Sequence, residues 1–384
     1  MIFDNQLRNA IHIAETYKGD MPLHVWLKDY FRLNKQMGSR DRKILSTLAY
    51  SFYRLGHAVK DLRPKDRLLA GLFLCNDQPG EMLAYFKPHW AEKAAAPLPE
   101  KIGFFQQQPE GRDFRLADIF PWKDELSPGI DHEAFCLSFL RQPDLFLRIR
   151  PGCETAVREK LAEFEFIPPA ALRLPNGFNV ETYFTPDKEV VVQDYSSQRV
   201  AEFLKPAKTP QFFWDACAAS GGKSILIYDL YPNIDIIVSD IRSSILSNLK
   251  TRFQTAGIKK YNSFLADLSK QPPPASAANA ELILTDVPCT GSGTWGRTPE
   301  ELYFFDPAGI LRYSTLQKKI MAHIVPHVAP DATLVYCTCS VFVKENEEMI
   351  AYIRDISRLK IQATENLIGY DRRADTLFAT RFGH

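Results

Sequence analysis

Two apolar, β-branched runs end in residues that can do chemistry. "AELILTDVPCTGSGTWG" delivers Asp286 and Cys289, and "ATLVYCTCSVFVKENEE" delivers Cys337 and Cys339. Each run reads as a strand, so these side chains stand at strand mouths. A thiol so placed can hold a metal, pair with another thiol, or attack an electrophilic carbon. The chain has no C-x-x-C pair and no well-spaced histidine, so no metal site is expected. A bridge between Cys337 and Cys339 would be strained. A structural accident and a nucleophile remain, and the rest of the chain has to decide between them. A free thiol is only a few per cent ionised near pH 7, so the site must supply positive charge or backbone donors.

Other elements must carry these residues. "QFFWD", "IDIIVSD", "AELILTDV" and "ATLVYC" read as strands, alternating with helical stretches such as "IRSSILSNLKTRFQTA" and "AGILRYSTLQKKIMAHIVPHV". Such alternation predicts an α/β domain with a mostly parallel sheet, whose ligands sit beyond the carboxyl ends of the strands. After the first strand comes "ACAASGGKS", with Cys217, Ala218, Ala219, Ser220, Gly221, Gly222 and Lys223. Small residues and glycines there let the backbone approach a ligand, although the first glycine of a phosphate loop is missing. Asp240 ends the next strand, placed for ribose hydroxyls or to cap the following helix. Asp267 ends a third. Three strand-end positions without a phosphate loop suit a nucleoside lacking a polyphosphate, and S-adenosylmethionine is the expected cofactor.

The 384 residues suggest two or three domains, and 45% hydrophobic with 24% charged residues is ordinary for a packed chain. No apolar run reaches the roughly 18 residues that a membrane span needs. The polar start "MIFDNQLRNA" is not a secretory signal. The expectation is a cytoplasmic monomer with seven reduced cysteines. Net charge is +1, yet residues 1–75 hold thirteen Lys/Arg against seven Asp/Glu. That local surplus suits a polyanion or is a solvated helical surface. In this region Leu45, Leu48, Ala49, Phe52 and Leu55 recur at helical spacing, with Ser39 as a possible cap and Pro64 as a stop. Residues 96–130 read as a loose connection. "DLFLRIRPG", "NVETYFTP" and "EVVVQD" read as strands and "ETAVREKLAEF" as a helix, together a small mixed domain.

"DACAASGGK", "TDVPCTGSGT" and "YCTCSVFVKENE" resemble the motifs of the Sun/Fmu (RsmB-like) RNA 5-methylcytosine methyltransferases, and "VVQDYSSQ" resembles the opening of their catalytic domain. "GSRDRKILSTLAYSFYRLGHAV" is similar to their NusB-like helical domain. The resemblance implies a NusB-like domain over 1–125, a small α+β, RRM-like domain over 126–190, and a Rossmann-like class I methyltransferase domain over 191–384. It implies that the segment Cys217–Lys223 holds the methionine part of the cofactor, with Asp240 at the ribose and Asp267 by the adenine. Cys339 corresponds to the attacking cysteine, Cys289 to the one that helps release product, and Asp286 to the acid beside the base. Cys337 falls off the motif and is expected to pack as a small apolar residue.

Ser220 stands where the family has proline, and "LRIRPG" has arginine where many members have asparagine. The serine is expected to loosen the cofactor loop without removing a ligand; the departures fall mainly on RNA-facing parts, so they bear on the substrate more than on the reaction. The implied reaction is methylation of carbon 5 of cytosine in RNA, ribosomal before transfer RNA. Thiolate addition to carbon 6 makes carbon 5 nucleophilic, and the base must leave its stack to be reached. DNA enzymes share "PC" but not "TCS". A non-catalytic RNA-binding or ribosome assembly factor is the rival, disfavoured because both cysteines and Asp286 are present.

Overall fold

The computed structural model describes residues 2–78 and 80–384. It divides into two compact units: Met1–Asp124, Asp131–Gln142 and Thr294–Asp306 form the first, and Glu125–Ile130, Pro143–Gly293 and Pro307–His384 the second.

The first unit is helical. Leu45, Leu48, Ala49 and Phe52 point from the helix Ser39–Arg54 into its core. Two punctuation marks differ from expectation. Ser39 is the first helical residue, and Gly38 precedes it without a side-chain cap. Pro64 opens the next helix, Pro64–Cys75, where a missing N–H costs nothing. Residues 96–130 are no loose connection. They contain the helix Leu98–Gln106, and Phe105, Phe114, Ile119 and Phe120 are buried. Aromatic area outweighs the Pro, Gly and Gln content that suggested a linker. Arg54 and Arg67 are buried too; Arg54 donates to the carbonyls of Phe139, Arg141 and Gly296, and Arg67 to that of Gly56 at 2.7 Å. Two of the thirteen cations therefore serve the core. Thr294–Asp306 belongs with this unit: the Glu300 carboxylate accepts from the Leu23 N–H at 2.9 Å, and Lys60 donates to the Tyr303 carbonyl at 2.8 Å. The expected boundary near residue 125 did not include this segment.

The second unit carries two sheets. The smaller contains β1 (Leu145–Ile149), β2 (Glu165–Ile167), β3 (Ala171–Leu174) and β4 (Val190–Val192), all antiparallel in the order β2-β3-β1-β4. The helix Glu154–Lys160 joins β1 to β2. "NVETYFTP" is not a strand; Val180–Thr182 is a single 3-10 turn.

The larger sheet contains β5 (Phe212–Asp215), β6 (Asp235–Asp240), β7 (Tyr261–Leu265), β8 (Leu282–Asp286), β9 (Thr333–Thr338), β10 (Lys360–Leu367) and β11 (Leu377–Gly383). Its order is β10-β11-β9-β8-β5-β6-β7, parallel from β5 to β9, with β10 and β11 an antiparallel hairpin at one edge. Helices cover both faces. Leu249 and Phe253 pack on one side with Val335 and Cys337; Ile320, Met321 and Met349 pack on the other with Leu334 and Tyr336. Successive β9 residues thus enter opposite cores, as a strand's alternation requires. The strand order reverses between β5 and β8, the switch point where α/β sheets open a crevice. Among the described residues no helix is long and apolar enough to cross a membrane.

Candidate active site

β8 and β9 are parallel neighbours, with Asp286 opposite Cys337 in register. Cys289 lies three residues past Asp286, and Cys339 two past Cys337. The two loops therefore leave the sheet side by side, and their thiols meet at Sγ–Sγ 3.2 Å. The loop that carries Cys289 passes close beneath that of Cys339. The Gly293 N–H donates to the Cys339 carbonyl at 2.8 Å, and a Cβ at Gly293 would collide with the Thr376 carbonyl. Cys337 is fully buried, and burial, with Asp286 adding, pushes its thiol up. It is a core residue.

Asp286 is engaged from β5. The chain turns after Asp215 through Ala219 (φ +45°) and Gly221 (φ +81°) into the helix Gly222–Leu230. A side chain at Gly221 would press on Phe253 and Leu249 at 2.9 and 3.0 Å, so glycine is needed both for the left-handed turn and for the close packing. Lys223 stands in the first turn and donates to Asp286 Oδ2 at 2.7 Å. Burial alone would lower the Lys223 ammonium; Asp286 overrides it and raises it, with Cys337 and Cys339 adding. The Lys223 ammonium thus stays charged beside Asp286. Ser224 donates to Asp215 at 2.6 Å, while burial pushes the Asp215 carboxyl up to about 7.

Asp240 ends β6, and its Oδ2 accepts from the Ala219 N–H at 3.0 Å. Its Oδ1 accepts from the Arg242 N–H at 2.9 Å, one residue before the helix Ser243–Ala256 begins. The carboxylate therefore ties the Cys217–Lys223 loop to the entry of the next helix. Asp267 lies past β7 and bonds only locally, to Ser269 and Lys270, which hold it below the usual carboxylate range. The geometry thus gathers Cys217–Lys223, Asp240 and Asp286 around the switch point, with Cys289 and Cys339 beyond Asp286, and ties Asp267 to none of them.

Sequence reasoning missed four residues. Ile241 and Leu265 are 54% and 58% exposed at the mouths of β6 and β7, large apolar surfaces that suit a flat ring. Arg252 donates to the Ser220 carbonyl and hydroxyl at 2.9 and 3.0 Å and grips Asp187 through two further bonds. The serine that replaces proline is thereby tethered. Glu345 is fully buried, although "VFVKENEE" reads as a polar helix face. The helix starts only at Glu347, so Glu345 sits in the turn that the run conceals. Arg150, expected to face RNA, is buried and binds Asp229 instead. Among the described residues no group of three or more His, Cys, Asp or Glu is placed to hold a metal ion.

With this geometry in hand, comparison with known proteins is informative. Residues 201–371 match the family model described as 16S rRNA methyltransferase RsmB/F. The chain is 34% identical over 187 residues to the probable ribosomal RNA small subunit methyltransferase B of Bacillus subtilis, covering 48% of this chain and 42% of that protein. It is 33% identical over 238 residues to a Synechocystis protein of the same description, covering 57% and 51%. The chain thus spans about half the length of these curated relatives, or less. The solved structure of PH0851 superposes over 98% of this chain and 97% of its own, with TM-score 0.70 and 20% identity. A methyltransferase homolog from Pyrococcus horikoshii covers 67% of this chain and 92% of its own, with TM-score 0.53 and 18% identity. At such identities the two structures speak for the fold, a methyltransferase fold with a mostly parallel sheet. The family match falls on the stretch that runs from just before the Cys217–Lys223 loop to past the two cysteines, and that stretch is similar to the RsmB/F methyltransferases.

Proposed function

We propose that the chain methylates carbon 5 of a cytosine in ribosomal RNA through a covalent adduct on Cys339. The observation that carries this reading is the thiol pair at 3.2 Å beside the Lys223–Asp286 ion pair. The residues fit S-adenosylmethionine: a loop with a left-handed glycine, a strand-end carboxylate at Asp240, and exposed Ile241 and Leu265 beside it. When bound, that cofactor supplies a methyl group on a positively charged sulfur.

This chain's residues would do the rest. Cys339 attacks as its thiolate, which adds to carbon 6 of the base. Asp286, oriented by Lys223 through Oδ2, offers Oδ1 to the cytosine amino group. After transfer, carbon 5 bears both a methyl group and a proton. That proton leaves to a base, the carbon–sulfur bond breaks, and Cys339 departs as thiolate. Cys289 is the group within reach of this elimination. Its hydrogen bond to Cys339, burial, and the charges of Cys339 and Glu345 push its thiol well up, so it stays protonated and can hydrogen-bond the departing Cys339 sulfur. Tritiated methyl transfer to bulk cellular RNA, followed by bisulfite sequencing of RNA from a deletion strain, tests the reading. Labelled transfer RNA would move the substrate, and no label at all would leave a binding factor.

Asp240 supplies a second test. Asp240→Ala should weaken S-adenosylmethionine binding roughly tenfold or more, the effect of losing a charged hydrogen-bond acceptor. Asp240→Asn should lose less, because it can still accept from the Ala219 N–H. Calorimetry that finds unchanged affinity for the alanine variant would reduce Asp240 to a support for its own loop.

RNA is held, on this reading, by the helical NusB-like unit and the small RRM-like domain. The order β2-β3-β1-β4 with one helix after β1 supports the second assignment. Its helix-free face is not open, however: Phe146, Ile167 and Ala171 pack against Ala374 and Tyr195. Bases cannot stack there, so affinity rests on exposed charge. Lys28, Lys35 and Lys43 are exposed. Changing all three to glutamine should weaken RNA binding alike for all sequences and flatten its salt dependence by about two units of slope. An unchanged slope would make them a solvated surface.

A further inference from the structure

We propose that Glu345 is a positioning residue that clamps the Cys289 and Cys339 loops together and so sets the distance between the two thiols. The proposal rests on the two-thiol reading above and deepens it. Glu345 Oε2 accepts from the Thr290 N–H and from Gln317 Nε2, both at 2.9 Å. Its Oε1 accepts from the hydroxyls of Thr290 at 2.6 Å and Ser340 at 2.7 Å. Thr290 follows Cys289, and Ser340 follows Cys339. One carboxylate therefore grips the residue after each thiol. Gln317, from the helix Ala308–Ile324, also donates to the Pro288 carbonyl at 3.0 Å, so the chain is held on both sides of Cys289.

The clamp is itself held from below. The Tyr336 hydroxyl donates to the Glu345 carbonyl at 2.7 Å, and Asn346 accepts from the Thr338 hydroxyl at 2.6 Å and donates to the Ser340 carbonyl at 2.9 Å. Glu345 and Asn346 are both fully buried. A buried carboxylate is costly unless its oxygens are satisfied, and all four of these donors are neutral. Glutamine has only one accepting oxygen, and its NH2 would face donors. Only a carboxylate can accept all four bonds at once, and two of them, from the Thr290 and Ser340 hydroxyls to Oε1, tie the two loops to one atom.

Phenylarsine oxide reads that spacing without RNA or cofactor. Its arsenic(III) forms one bond to each of two close sulfurs, and its oxygen leaves as water with the two thiol protons; nothing is oxidised or reduced. The full-length protein should bind it at the Cys289–Cys339 pair, with Cys289→Ser and Cys339→Ser giving the background of the other cysteines. Glu345→Gln should weaken this pair-dependent binding at least about tenfold, the effect of lost charge-assisted hydrogen bonds, with S-adenosylmethionine affinity retained. Thr290→Val combined with Ser340→Ala leaves the carboxylate in place, removes two donors, and should weaken binding in the same direction. That double variant decides the matter if Glu345→Gln does not fold. Wild-type arsenical affinity in the folded variant overturns the clamp. Failure of the proposed reaction would appear separately, as wild-type protein that pairs its thiols on arsenic yet transfers no methyl group.

Discussion

Cys289→Ala protein should accumulate as a covalent complex with its RNA that survives denaturing electrophoresis, whereas Cys339→Ala should form none and lose methylation by at least about a thousandfold. Two thiols 3.2 Å apart can both reach one base carbon, so distance does not choose the nucleophile. Charge does. Asp286, with Cys337 and Cys339 adding, raises Lys223, so a lasting cation stands beside Asp286. Glu345 acts on the other thiol and, behind the Cys339 hydrogen bond and burial, helps keep Cys289 protonated. On the proposed reading addition belongs to Cys339, and the step that fails without Cys289 is release. The double substitution should show no adduct, because the first step is gone. An adduct in Cys339→Ala and none in Cys289→Ala would reverse the roles. Ordinary turnover in Cys289→Ala, with only a small loss of stability, would make Cys289 a packing residue beside Pro288.

The parts of this site that could be read from the sequence are those written in contiguous residues. Strand mouths show as apolar runs that stop, so Asp240, Asp286, Cys289 and Cys339 could be placed before any coordinates. The turn at Gly221 shows through its small residues. What was hidden depends on partners distant in the chain. Glu345 lies in an acidic run whose burial is set by Thr290, Ser340 and Gln317, and no local pattern announces that. Ile241 and Leu265 look like ordinary strand-flanking residues until their exposure is known. Residues 96–130 misled because turn-forming composition was read without counting the phenylalanines that anchor it. The Thr294–Asp306 segment misled because chain continuity suggested that it stays with the cysteine loop it follows, whereas Glu300 and Tyr303 pack into the helical unit.

Arg150 is the most consequential of these misreadings, and it leads to the largest stability effect expected. Asp229→Ala should destabilise the second unit by about 3–5 kcal/mol, the usual result of removing one partner from a buried ion pair. Asp229 lies in the last turn of the helix Gly222–Leu230, where the helix dipole disfavours a carboxylate. It is held there by Arg148 of β1 and by Arg150, the residue after β1. Arg150 donates to Oδ1 through Nη2 at 2.7 Å and Nε at 3.0 Å, and Arg148 donates to Oδ2. The side chains of Arg148, Arg150 and Asp229 are only 5%, 10% and 6% exposed. Arg150 also reaches the Asp187 and Ala256 carbonyls, each at 2.8 Å, so it joins the small sheet to the helices behind the cofactor loop. Alanine at 229 would leave two guanidinium groups buried without their counter-charge. The urea midpoint should fall at unchanged slope, while Cys339 adduct formation persists in the folded fraction. A loss below about 1 kcal/mol would give this cluster no more weight than ordinary surface bridges have.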